Sequence, residues 1–184
     1  MCIRDRVMSD SRSRILQRLR EVDHRDQADI DRPVISHAWS RQEKLERFSE
    51  RMSAVRAEIH HTREEDWSNE LHQILKRKGA RNLAFAADSP PGKLLQSELS
   101  SGDIEMISCN RDIEHWKQEI FEQLDASFTG CLGGIAETGS LILWPDESEP
   151  RLLSLVPPIH CVLLRAEQIY STFAEAMAAQ DWVR

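Results

Sequence analysis

Glu137 is the residue whose neighbours best equip it for chemistry. It lies in GCLGGIAETGSLILWPD, residues 130–146, a stretch holding four of the chain's seven glycines: Gly130, Gly133, Gly134 and Gly139. A carboxylate among exposed backbone amides can accept a substrate hydroxyl or act as a general base. Glycine lets a backbone come close to a ligand or adopt positive φ, so Gly133, Gly134 and Gly139 are candidate ligand-binding positions whose amides could cradle an anion. Thr138 and Ser140 offer hydroxyls to a carboxylate or phosphate, and His160, just after Pro157-Pro158, offers a donor or a proton. Each has a structural alternative. Glu137 satisfies local amides, the glycines serve a tight turn or bulge, Thr138 and Ser140 are ordinary turn residues, and His160 donates to a core carbonyl.

Several other chemistries are excluded by spacing. The glycines do not form G-x-G-x-x-G and no G-K-[ST] is present after them, so neither a dinucleotide fingerprint nor a P-loop is found. Cys2, Cys109, Cys131 and Cys161 contain no C-x-x-C pair, which argues against a zinc site or an iron–sulfur cluster held by this chain alone. Cys131 has no histidine nearby in sequence to activate it. His60 and His61 are adjacent. On a strand they face opposite sides, so they cannot ligate one metal from one face, and both are expected to be structural. The expectation is a chain with no metal and no cofactor of its own.

Charge narrows the partners. The net charge is -7, spread unevenly. Residues 1–80 carry 17 Lys and Arg against 15 Asp and Glu, while residues 81–184 carry 7 against 16. The acidic second half opposes nucleic-acid binding, which needs a basic surface. No apolar run approaches the roughly 20 residues of a membrane span, and the N-terminus lacks a signal-peptide pattern. A cytoplasmic protein is expected. The opening MCIRDRV differs in character from the rest of the chain, and Met8 reads as the natural start.

The elements that must position these residues alternate. Ile15, Leu16, Leu19 and Val22 form a short amphipathic stripe in an N-terminal extension, residues 1–32. Residues 33–184 form the main domain. Ser40 and Glu43 make a capping box before a helix carrying Leu45, Phe48 and Met52. A strand is expected at 56–61, then a second capping box at Thr62 and Glu65, and a helix through Trp67, Leu71 and Leu75 ended by Gly79. Further strands are expected at 82–86, 103–108, 126–131, 140–144 and 160–165. Helices are expected at 90–99, across Ile113 to Leu124, and from Ile169 to Met177. Strands alternating with helices imply an α/β fold with a mostly parallel sheet flanked by helices. The apolar runs 141–144 and 161–164 read as strands buried on both faces. In such sheets ligands collect beyond the carboxyl ends of strands, where the glycine cluster is expected.

The stretch GIAETGSLILWPDESEPRLLSLVPPIHCVLL, residues 134–164, closely resembles the LUD-domain family of the LutC or YkgG type. Its I-A-E-T-G-[ST]-L core is followed by E-P-R-L-L-S-L-x-P-P-x-H. Looser similarity reaches back to about Arg41 and forward through 167–179. The resemblance implies a fold like the NagB/RpiA/CoA-transferase group. It also implies a part in L-lactate utilization, the oxidation of L-lactate to pyruvate. The chain would be an accessory or substrate-handling subunit, with a small organic acid as possible ligand and the redox centres on iron–sulfur and cysteine-rich partner subunits. Members usually continue into a further segment that this chain lacks. A second reading is a stand-alone CoA-transferase-like or phosphosugar-type enzyme with Glu137 as the reactive group.

Overall fold

The computed structural model describes residues 12–18, 20, 36–98, 103–109 and 123–182. The chain divides into two compact units, 1–34 and 35–184. The first contains a helix over 12–18, on which Ile15 and Leu16 are exposed. The second holds the sheets and every candidate site residue.

The first helix of the second unit, α1 (Arg41–Ala54), begins where the capping box requires. Ser40 Oγ accepts from Glu43 N at 3.2 Å, and Glu43 answers by accepting from Ser40 N at 2.8 Å. Two orphan amides are thereby satisfied. The helix buries Phe48. Next comes α2 (Trp67–Arg77), which buries Trp67, Leu71 and Leu75 on one face. Between them residues 57–63 form no strand, unlike the expectation for 56–61. The second capping box is also absent. Asp66 is the N-cap of α2, and Thr62 Oγ1 donates to Arg63 O instead. Thr62 lies five residues before the helix, too far to reach its first amides.

The main sheet has four parallel strands, β1 (Asn82–Phe85), β2 (Glu105–Ser108), β3 (Ala126–Gly130) and β6 (Ile159–Leu163), in the order β2-β1-β3-β6. Helix α3 (Pro90–Glu98) connects β1 to β2, as a parallel pair demands. The centre is β1, buried at every residue. Strand alternation sends Leu83 and Phe85 to one face, with Trp67, Leu71, Leu75, Leu95 and Phe128. Ala84 goes to the other face, with Leu124 and Leu153. Trp67 stacks on Phe128 at 5.6 Å between ring centroids. At the amino ends of β1 and β3, Arg81 makes two side-chain bonds to Asp125, 3.0 and 3.1 Å, and Asn82 donates to Gln123 O. The Arg81 guanidinium holds the Asp125 carboxyl below its usual range.

A second, three-stranded sheet contains β4 (Gly133–Ile135), β5 (Ser140–Ile142) and β7 (Ile169–Tyr170), ordered β5-β4-β7. β4 runs antiparallel to β5 and parallel to β7. This corrects two expectations. Residues 141–144 are not a strand of the parallel sheet buried on both faces: the strand ends at Ile142 and Trp144 is 59% exposed. Ile169 opens a strand rather than a helix, and the last helix, α5 (Phe173–Ala179), starts after the Thr172 cap. A one-turn helix, α4 (Leu152–Leu155), leads into β6. The helix expected across Ile113 to Leu124 lies almost wholly outside the described residues.

Candidate functional site

Gly130 ends the parallel strand β3, and the rest of the glycine-rich stretch folds into a hairpin of the second sheet. Residues 136–139 make the turn between β4 and β5, closed by Gly139 N donating to Ile135 O at 2.8 Å. Gly139 has φ of 68°, the left-handed region where glycine carries no steric penalty. The turn is pinned to β7 by Ala136 N to Tyr170 O, 2.8 Å, and Glu137 N to Ser171 O, 3.1 Å. On its other side it presses on α1. A Cβ at Gly139 would stand 2.4 Å from Arg51 Cβ, and one at Gly134 would stand 2.7 Å from the Phe48 ring. At Gly133 it would meet Gln168 O at 2.5 Å. The close approach these glycines permit is to the protein's own helix and loop.

Glu137 emerges from that turn with its side chain 41% exposed, its Oε1 3.7 Å from His37 Nε2. His37 stacks flat on Trp39 at 4.0 Å, and Arg47 lies 4.4 Å over the same indole. Ser171 Oγ donates to His37 O at 3.2 Å, tying this strap to the end of β7. Thr138 Oγ1 donates to Ser140 Oγ at 2.9 Å. Glu137, Thr138, Gly139 and Ser140 are thus brought together, with His37 added, a residue that carries no signal of its own in the sequence. None of them lines either of the described cavities.

His160 is elsewhere, on β6 of the other sheet. Its Nε2 is 2.8 Å from Thr129 Oγ1 of the adjacent strand, and burial lowers its pKa, favouring the neutral ring. It lines a groove of about 800 Å³ that runs between β6, α1, α2 and the stretch 57–64. His60 also lines that groove. Its ring lies between two carboxylates, Nδ1 3.3 Å from Glu70 and Nε2 3.6 Å from Glu58. Lys78 pairs with Glu58 at 2.6 Å. Burial pushes the Cys161 thiol on β6 up to about 11 and the Cys131 thiol up to about 12, so neither is a thiolate near neutrality. Among the described residues no group of three or more His, Cys, Asp or Glu side chains could hold a metal ion.

A third locus lies where the sequence places ligands, at the carboxyl end of a parallel strand, and of the clustered glycines it holds Gly130, the last residue of β3. The carboxyl ends of β1 and β3 diverge, because β1 leads to β2 on one side while β3 lies on the other; such a switch point is where open α/β sheets hold ligands. Here it is closed. Ser89 Oγ, buried, caps α3 by accepting from Gly92 N at 3.1 Å. A Cβ on Gly130 would meet Pro91 at 2.8 Å. The Glu149 carboxylate approaches Gly130 N at 3.4 Å, and burial raises its pKa. Asp146 aims it by accepting from Ser148 N and Glu149 N. The D-x-S-E turn is visible in the sequence. Its partner across the sheet is not.

Comparison with known proteins decides the family. The LUD domain matches residues 45–183, from α1 through the hairpin, β6 and α5. The chain belongs to the LUD-domain family. An uncharacterized protein of Neisseria meningitidis serogroup B is 34% identical over 147 residues, 79% of this chain and 63% of that protein. The chain therefore spans less than two thirds of that relative's length. Lactate utilization protein C of Deinococcus radiodurans is 39% identical over 59 residues, 32% of this chain and 28% of that protein. The uncharacterized electron transport protein YkgF of Escherichia coli K12 is 36% identical over 58 residues, 32% of this chain and 12% of that protein. The crystal structure of a DUF162 family protein from Deinococcus radiodurans superposes with a TM-score of 0.64 at 26% identity, covering 78% of this chain and 82% of that one. Within the LUD domain of this chain lie Glu137, the glycines and His160, whereas His37 precedes the matched region. No helix among the described residues is long and apolar enough to cross a membrane.

Proposed function

We propose that this protein is a component of an L-lactate utilization system, acting as an accessory or substrate-handling subunit while partner proteins carry the redox centres. The observation that carries this reading is the likeness to a protein named for lactate utilization. The likeness to a named electron transport protein points the same way. The four cysteines, spaced without a cluster motif, fit a subunit whose partners hold the redox centres.

In this reading the Glu137 turn handles the acid. Glu137 accepts the 2-hydroxyl of the substrate and His37, 3.7 Å away, donates to its carboxylate. Glu137 stands on a turn whose backbone is held by β7 and packs on α1, and His37 is tied to the end of β7 through its own carbonyl. The pair lies outside the described cavities.

The test is genetic and then biochemical. Deletion of the gene, in a host without a paralogue, abolishes growth on L-lactate as sole carbon source and leaves growth on pyruvate intact. Complementation with the wild-type chain restores growth, and complementation with Glu137→Gln does not. Normal growth of the deletion strain on L-lactate would refute the assignment.

A further inference from the structure

Ser171, the residue after β7, is 1% exposed, and each of its polar groups holds a different segment. Its carbonyl accepts from Glu137 N of the hairpin turn at 3.1 Å. Its hydroxyl donates to His37 O of the strap at 3.2 Å. Its amide donates to the Glu175 carboxylate of α5 at 2.6 Å. Two of the three bonds therefore end on the main chains of Glu137 and His37, whose side chains meet at 3.7 Å. Those two residues are far apart in sequence, and among the described residues Ser171 is the one hydrogen-bonded to both.

Ser171 is itself fixed by two helices. Thr172 caps α5 by accepting from Glu175 N at 3.2 Å. In an ordinary capping box the glutamate at the third helical position answers by accepting from the cap residue's own amide. Glu175 reaches one residue further, to Ser171 N, and its other oxygen accepts from Lys44 Nζ of α1 at 2.8 Å. One carboxylate thereby joins Ser171 to α5 and α1.

The ties to the two site residues differ in kind. The bond to Glu137 uses the main chain of Ser171 and survives a change of its side chain. The bond to His37 uses the hydroxyl alone. Removing the hydroxyl releases the His37 carbonyl and leaves the turn on β7, where Ala136 N to Tyr170 O and Glu137 N to Ser171 O both remain. Trp39, which stacks on His37 and packs against Phe48, Ala136 and Ile169, keeps the rest of the strap in place. A serine buried this fully gains little over alanine in packing, so what its hydroxyl adds is the bond to His37.

We infer that Ser171 is a positioning residue: its hydroxyl sets His37 against Glu137, so that imidazole and carboxylate meet one small hydroxy acid together. The consequence for a ligand rests on the proposed handling of L-lactate by Glu137 and His37. The consequence for the position of His37 does not.

The experiment compares the whole chain as wild type, Ser171→Ala and Thr172→Ala. Thr172 is the neighbouring buried hydroxyl, which caps α5 and bonds to neither site residue. The nuclear Overhauser effect between the His37 ring and the Glu137 side chain reads their contact. Amide exchange at Glu137 and Gly139 reads the turn. L-Lactate is then titrated in and followed through the same resonances. Ser171→Ala loses the His37–Glu137 effect while both amides stay protected. It binds L-lactate about tenfold or more weakly, as the loss of one charge-assisted hydrogen bond requires. Thr172→Ala melts at a lower temperature but keeps the contact and the wild-type affinity. Persistence of the contact in Ser171→Ala overturns the inference, as does its absence from wild type. Equal loss in both variants also overturns it, since Ser171 is then one scaffold bond among others. So does loss of protection at both turn amides in Ser171→Ala, since the hydroxyl then holds the fold rather than the pair. A wild-type chain that does not respond to L-lactate counts against the lactate reading alone, and the contact then decides the inference.

Discussion

The glycine hairpin and the β6 groove are opposites. The hairpin draws attention in the sequence because glycine and a carboxylate are concentrated there, yet in the structure it is filled. Phe48, Arg51 and Gln168 take the space that missing side chains leave at Gly134, Gly139 and Gly133. The groove draws little attention in the sequence, because Ile159–Leu163 reads as ordinary buried strand. In the structure that run borders an open concavity of about 800 Å³ between β6, α1 and α2. Glycine signals close approach but does not say of what. An apolar run signals a strand but does not say whether neighbours lie on both sides.

The largest expected effect is on the groove's floor. Trp67 is 5% exposed and stacks on Phe128 of β3, linking α2 to the sheet beside the groove. Trp67→Ala removes that contact and leaves a cavity, at a cost of about 3–5 kcal/mol. Urea denaturation followed by circular dichroism measures it. A loss under about 1 kcal/mol would mean that α2 is not anchored where the structure has it.

The hairpin gives the next largest. Gly139→Ala places a Cβ 2.4 Å from Arg51 Cβ at a positive φ. Left-handed strain costs roughly 1–2 kcal/mol and forced overpacking about 1–3 kcal/mol, so a loss of about 2–5 kcal/mol is expected in the same denaturation. A neutral substitution would show that the turn is free to move off α1, and the glycine there would then be available for a ligand.

Much of the fold is legible in the sequence. The buried run Asn82–Phe85, the capping box at Ser40 and the Pro-Pro start of α3 are local signals, and each appears where expected. The capping box read at Thr62 is a local error, four residues short of the true N-cap at Asp66, but the errors in strand pairing concern partners distant in sequence. Nothing local in 141–144 reveals that Gly133–Ile135 will pair with it antiparallel and draw it into a second sheet. Nothing local at Ile169 reveals that Gly134 lies alongside it in parallel, 35 residues away by the register Gly134 to Ile169. The stretch 56–61 has a single β-branched residue, Ile59, and makes no ladder. The site residues divide the same way. Glu137, Thr138, Gly139 and Ser140 are consecutive and read as a group, whereas His37 reaches Glu137 from a hundred residues upstream and is invisible until the chain folds.

A smaller, pH-dependent effect separates the two regions electrostatically. His160 faces the groove with its Nε2 on Thr129, and burial lowers its pKa below the usual 6.5. The unfolded chain therefore takes up this proton before the folded one does. The stability His160 contributes is fully present above pH 6.5 and is lost as pH falls through its lower folded value. NMR titration of the ring should give a midpoint below 6.5. His160→Gln, which keeps a partner for Thr129, should flatten the stability profile on the acid side of that value. A midpoint at or above 6.5 would mean that the ring is solvated and that the groove is wetter than its lining implies.

The smallest effect on stability is expected at Glu137, and for that reason it tests most sharply what the hairpin is for. The side chain is 41% exposed and its one described ion-pair partner, His37, is 3.7 Å away. Exposed substitutions away from caps and networks change stability by no more than about 0.5 kcal/mol, so Glu137→Gln should unfold at nearly the wild-type urea concentration. The turn's backbone bonds, Glu137 N to Ser171 O and Gly139 N to Ile135 O, do not involve the carboxylate and remain. If growth on L-lactate nevertheless fails in the complemented strain, the carboxylate supplies chemistry or recognition that the fold does not need. If stability falls by about 2 kcal/mol or more, well above that surface range, the carboxylate belongs to the scaffold, and the hairpin and the groove differ less than their geometry suggests.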